Sequence, residues 1–99
     1  MEYSIVKEND KTVARMKGRL DTAASAQLSA GLSEGWSAQD DLELDFTEVE
    51  YISSAGLRLL VALQKKATKA GRSMVIRNIN NVVREVFKVA GFTKALTIV

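Results

Sequence analysis

The segment YISSAGLRLL, Tyr51 to Leu60, follows the strand-like LELDF of Leu42 to Phe46 and sets two hydroxyls, Ser53 and Ser54, at a helix start. An apolar pair precedes them, the small Ala55 and Gly56 come after, and Leu57, Leu59, Leu60 and Val61 then read as a buried helix. The first turn of a helix has orphan N–H groups and the positive end of the helix dipole. A serine there can cap the helix, and a phosphate carried there would meet donors and a favourable field. Two readings follow: Ser53 or Ser54 is an N-cap, or Ser54 is the acceptor of a phosphoswitch. A hydrolase built on Ser54 fails on its chemistry, because the loop is not G-x-S-x-G and the chain has no histidine to serve as base.

Ninety-nine residues with 46% hydrophobic content make one domain, residues 1–99, with enough apolar matter for a single core. The absence of cysteine and histidine excludes disulfides, thiol chemistry, zinc sites of the usual kind and any Ser-His-Asp triad. There is no Walker A or kinase signature, so ATP, Mg²⁺ and a catalytic base would belong to another protein; no cofactor and no metal are expected. The longest apolar run, Leu59 to Leu63, is too short to span a membrane, and MEYSIVKEND lacks the layout of a signal peptide, so the expectation is a cytoplasmic protein. Fourteen basic and twelve acidic residues give +2, too balanced to announce nucleic acid or membrane. Lys65, Lys66, Lys69 and Arg72 read as a solvated, dipole-favoured helix end with no aromatic interleaving, and Asp45 and Glu48 as solvated acids at a strand end.

The elements that would position the serines alternate along the chain. Tyr3 to Glu8 and Thr12 to Met16 form a hairpin about Asn9 and Asp10, with Tyr3, Ile5, Val13 and Met16 facing one way and Gly18 ending it. Asp21 or Thr22 caps a helix from Ala23 to about Gly35, on which Ala24, Leu28 and Leu32 recur every fourth residue and which Trp36 closes against the core. A strand at Leu42 to Phe46 leads into the serine loop, and the second helix runs from Ser54 to Ala70 with Gly71 as its stop. Met74 to Arg77 is a strand. Asn80 or Asn81 caps a third helix with the stripe Val82, Val83, Val86, Phe87 and Ala90, ended by Gly91, and Leu96 to Val99 is a last strand. The order β-β-α-β-α-β-α-β predicts an α/β domain: a mixed, mostly parallel sheet with an N-terminal hairpin and helices packed on it.

DFTEVEYISSAGLRLL, with GRLD at Gly18 to Asp21 before it and RNINNVVREVFKVAGFTKAL after it, resembles the STAS domain of bacterial anti-sigma factor antagonists over nearly the whole chain. The resemblance implies that Ser54, two residues before the glycine, is phosphorylated by a partner kinase, and that Asp21 lies near it and helps shape the partner-binding face with Ser53, Ser54, Ala55 and Gly56. Ala55 and Gly56 would keep the loop low for an approaching kinase. Many members carry aspartate where this chain has Ser53, and members commonly continue into a C-terminal helix where this chain stops at Val99. The implied cycle is partner switching. The unphosphorylated protein binds an anti-sigma factor that is also a serine kinase of the histidine-kinase-like ATPase superfamily; the phosphorylated protein lets go until a serine phosphatase restores it. In the alternative, the same domain is an interaction module or scaffold in another signalling assembly, regulating a phosphatase or other output without an anti-sigma partner.

Overall fold

A computed structural model of the chain describes residues 2–36, 38–91 and 96–99. Its elements run β1 (Glu2–Glu8), β2 (Lys11–Leu20), α1 (Thr22–Gly35), β3 (Asp41–Ile52), α2 (Ser54–Lys69), β4 (Met74–Arg77) and α3 (Asn81–Ala90). The four strands lie in the order β1-β2-β3-β4, with β1 antiparallel to β2 and the other two pairings parallel. Because parallel crossovers are right-handed, β2-α1-β3 and β3-α2-β4, stepping the same way across the sheet, must lay their helices on the same face. Burial agrees. Leu28 and Leu32 of α1, Leu60 and Leu63 of α2, and Val83 and Phe87 of α3 share one core with Ala14, Met16, Leu42, Leu44, Phe46, Met74 and Ile76 of the strands.

The opposite sheet face is charged, and its charges are matched. Glu43, with its side chain only 12% exposed, accepts from Lys11 Nζ at 3.0 Å and Arg77 Nε at 2.8 Å. Arg15 pairs with Glu8 and Asp45, and Lys17 with Glu48. Burial works to raise the pKa of the Glu43 carboxyl, but the hydrogen bonds and charges of Lys11 and Arg77 outweigh it and hold the group below the ordinary carboxylate range. Asp45 is likewise held low against its burial, by Thr47, Asn78 and Arg15.

Four readings of the sequence need correction. Gly18 does not end the hairpin: β2 continues through it to Leu20, with Gly18 at φ 104° where the ladder slips. The step Arg15 to Lys17 faces Asp45 to Glu48, and Gly18 to Arg19 faces Val49 to Tyr51, so β3 carries an extra residue at each place. β3 itself extends past Phe46 to Ile52. Val13 does not share a face with Tyr3, Ile5 and Met16, since register pairs Tyr3 with Met16 and Ile5 with Ala14, and strand alternation sends Val13 to the charged side. There it pairs with Val6 and is wholly buried, outside the main core. Finally, Leu96 to Val99 is no full strand: one parallel bridge joins Ile98 to Ile76, through Ile76 N–H to the Thr97 carbonyl and Val99 N–H to the Ile76 carbonyl, while Leu96 is buried. The FTKA part of the segment that carries the resemblance, Phe92 to Ala95, lies outside the described residues.

Candidate functional site

The two slips in β2–β3 pairing bring the strand ends level, Leu20 opposite Ile52, so that Asp21 and Ser53 emerge side by side. Ser53 N–H donates to the Leu20 carbonyl at 3.0 Å, and the Ser53 hydroxyl donates to the same oxygen at 3.1 Å. That hydroxyl also accepts from Gly56 N–H at 3.2 Å, and the Ser53 carbonyl takes Leu57 N–H at 2.9 Å. Ser53 is therefore the N-cap of α2, in extended backbone at φ −89°, ψ 173°. Ser54 is the first residue of the helix proper, exposed, and its hydroxyl makes no hydrogen bond among the described residues. Local pattern left open which serine caps; the geometry divides the work, with one hydroxyl fully committed and its neighbour free.

Asp21 is the N-cap of α1. Its Oδ1 accepts from Ala24 N–H at 2.9 Å and its carbonyl takes both the N–H and the hydroxyl of Ser25, at 2.8 and 2.7 Å. The turn thus joins the serine loop through Leu20, and the exposed Asp21 carboxylate stands at the same end of the sheet as Ser54. Ala55 is half-buried. Gly56 is buried and faces inward: a Cβ there would lie 2.6 Å from Ile52 Cγ1 and 2.9 Å from the Leu20 carbonyl oxygen. Gly56 lets α2 start tight against β2 and β3, so the clearance around the Ser54 hydroxyl comes from Ala55.

The site also contains residues that local patterns did not single out. A groove of about 330 Å³ beside Ser54 is lined by Tyr51, Ile52 and Leu57 on one side and by Glu85, Val86, Val89 and Ala90 of α3 on the other. Asn80 fixes that wall. Its Oδ1 caps α3 at Val83 N–H, 2.8 Å, while its Nδ2 donates to the Val49 carbonyl of β3 at 2.9 Å. Only Val83 and Phe87 of the expected α3 stripe are fully buried; Val82 is 55% exposed and Val89, beyond the stripe, 81%. Arg19 lies over the Tyr51 ring, 4.5 Å from its centroid, so a cation rims the groove. The sequence signal for Arg19 and Tyr51 is their proximity to the two strand ends, and only the slipped register pairs them. Among the described residues no group of acids could hold a metal ion, and no helix is long and apolar enough to cross a membrane.

Comparisons with known proteins identify the family and the fold. The family model described as "Mlab, STAS domain" matches residues 4–99. A Bordetella bronchiseptica protein, BtrV, classed as an anti-sigma factor antagonist, is 32% identical over 97 residues, covering 93% of this chain and 80% of its own. In fold, the chain is similar to the anti-sigma factor antagonist SpoIIAA in its unphosphorylated form, with a TM-score of 0.82 at 19% identity, covering 99% of this chain and 88% of the other. It is also similar to a part of the murine anion transporter Slc26a9, with a TM-score of 0.75 at 16% identity, covering 90% of this chain but 16% of that one.

Proposed function

The chain belongs to the STAS domain family, with the anti-sigma factor antagonists, and from that premise we propose that it works by partner switching with Ser54 as the phosphoacceptor. The observation that carries the proposal is the division of labour between the serines: Ser53 holds the helix start, so Ser54 can be modified without dismantling it. Fold likeness alone serves antagonists and transporters equally; the identity to BtrV favours the antagonist over a scaffold in another assembly.

In the unphosphorylated state an anti-sigma factor covers the Ser54 loop and the Tyr51–Val89 groove. The groove is mostly apolar, so burial of Tyr51, Val86 and Val89 supplies affinity, while Glu85 in its wall, Arg19 over Tyr51 and Asp21 at the same end of the sheet supply orientation. Phosphorylation places about −1.5 to −2 charges and three acceptor oxygens on Ser54. In the free protein that group stays in water beside the first turn of α2, which favours anions, so the domain keeps its fold. In the complex it must be dehydrated against apolar walls and the Glu85 carboxylate; a penalty of ~3 kcal/mol weakens binding roughly a hundredfold. The chain is the substrate of this cycle, with the kinase and phosphatase supplying the catalysis.

The test uses the cognate anti-sigma factor kinase and ATP. Wild type gains one phosphoryl group and Ser54→Ala gains none; a label mapped to Ser53 overturns the assignment. Calorimetry then compares unphosphorylated, phosphorylated and Ser54→Asp proteins, and equal affinities for all three remove the charge switch.

A further inference from the structure

Two groups of cations stand apart from Arg84, Lys88 and Lys94 near the end of the sequence. Those on the strands have counter-charges: Lys7 pairs with Asp40, Lys11 and Arg77 with Glu43, Arg15 with Glu8 and Asp45, and Lys17 with Glu48, while Arg19 stacks on Tyr51. From Ser54 to Ser73 the sequence holds Arg58, Lys65, Lys66, Lys69 and Arg72 and no acid at all. All five are exposed, and none has a carboxylate within ion-pair reach among the described residues. Lys66 turns toward the Trp36 ring, 5.4 Å from its centroid. Arg58, Lys65 and Lys69 follow Ser54 at steps of four, seven and four, which at 3.6 residues per turn keeps all four on one side of α2, away from the buried Leu60, Leu63 and Ala67. The stripe is about 22 Å long at 1.5 Å per residue, and the candidate phosphoacceptor is its first member.

We propose that this stripe is a docking surface for an acidic segment of the same protein partner that covers Ser54. The inference rests on Ser54 being a contact point; what it adds is the sign of the partner's surface and the reach of the interface down α2. Charge complementarity is the warrant, because a helix face of a single sign without internal counter-charges is satisfied by an opposite face brought from outside. A protein is favoured over the other polyanions by what adjoins the stripe. The Tyr51–Leu57–Val86–Val89 groove meets it at Ser54 and Leu57, and apolar pocket plus charged margin is the anatomy of a protein interface. A membrane-seated helix needs large apolar side chains between its cations; here the same side offers the half-buried Val61 with the small Ala62 and Thr68. Nothing aromatic lies on it for a base to stack upon.

The arrangement also sharpens the switch. Phosphate on Ser54 stands one turn from Arg58, at the i, i+4 spacing that brings opposite charges together on a helix. It therefore neutralises the head of the stripe from within while repelling the acidic segment from without, and both effects act toward release.

The experiment uses the whole chain and a defined probe: an amphipathic helical peptide with glutamates along one face and leucines beside them. It is followed by anisotropy at low and high salt and by amide chemical shifts. Binding should weaken with salt, and shifts should fall on Arg58, Lys65, Lys69 and the groove residues Leu57 and Val89. Lys65→Glu with Lys69→Glu should lower affinity about tenfold or more, and the Gln pair by less, both with unchanged denaturation midpoints. Phosphoryl transfer to Ser54 is assayed separately and the peptide is titrated against the unphosphorylated chain, so a failure of the phosphoswitch reading leaves this result standing and is seen on its own. Equal binding by the charge-reversed chain overturns the proposal, as do shifts confined to the ion-paired sheet face. Tighter binding to duplex DNA or to phosphatidylserine vesicles reassigns the stripe to nucleic acid or membrane and overturns it too.

Discussion

Replacing each serine of the loop in turn separates stability from signalling, and the structure gives the size of each effect. In Ser53→Ala the cap on Gly56 N–H is lost. The Leu20 carbonyl does not go unpaired, because Ser53 N–H still donates to it at 3.0 Å. The cost is therefore that of a helix N-cap with one added side-chain bond removed, about 1–2 kcal/mol. For a domain of about a hundred residues that lowers Tm by about 5–10 °C. Ser54→Ala removes an exposed hydroxyl with no bond to lose and installs a better helix former, so stability should stay within about 0.5 kcal/mol of wild type. Urea denaturation followed by circular dichroism reads both, and phosphoryl transfer from the cognate kinase is measured on the same preparations. Ser54→Ala should be stable and silent, and Ser53→Ala weakened yet still phosphorylated while folded. If Ser54→Ala lost as much stability as Ser53→Ala, the assignment of cap and acceptor would be wrong, and with it the argument that the site can be modified without unfolding α2.

Three further outcomes follow from the same geometry. Gly56→Ala forces a methyl against Ile52 and the Leu20 carbonyl, which the serine cap holds in place; it should cost about 1–3 kcal/mol, and an unmoved urea midpoint would show that the helix start has slack. Asp21→Ala removes the α1 cap, about 1 kcal/mol, so midpoint and partner affinity are measured together; a lower midpoint with unchanged affinity of the folded fraction makes Asp21 purely structural. Glu43→Gln should destabilise by about 1 kcal/mol at neutral pH. Since the folded pKa of Glu43 lies below its unfolded value, its contribution is complete above about pH 4.3, the ordinary glutamate value, and is lost as pH falls through the lower folded value. The wild-type and variant stability curves should therefore converge in acid, and a constant gap would place the effect outside the Lys11–Glu43–Arg77 triplet.

Where the sequence was readable, one physical signal pointed one way. The helix α2 and its αL stop at Gly71, the Asn80 cap and the alternation of Leu42, Leu44 and Phe46 are all local. Gly18 misled because a glycine in a strand pattern marks either an end or a bulge, and only pairing with β3 decides. The second half of β3 hid for the same reason: its two extra residues break the alternation at Glu48 and Glu50. In α3 the amphipathic pattern located the apolar side correctly but could not say how much of it the domain covers, so the open Val89 wall of the groove emerges only from the fold. Which serine was committed and which was free depended on Leu20, thirty-three residues away in sequence.

The groove at Ser54 holds space on the scale of one or two side chains, and its walls, Tyr51 to Leu57 and Glu85 to Ala90, are anchored rather than hinged: α2 through Ser53 and α3 through Asn80. A berth of that size admits a single polypeptide at a time. Under the proposed partner switching, the anti-sigma factor kinase and the phosphatase would have to queue for the same few square nanometres, and a protein already seated would shield Ser54 from its rival. Such a molecule behaves as a counter. Under that proposed switching, each newly made copy removes one inhibitor from circulation while the anti-sigma factor is in excess, and the output rises over a narrow range of relative abundance once the two are equal in number, a threshold set by stoichiometry without any cooperative change of shape.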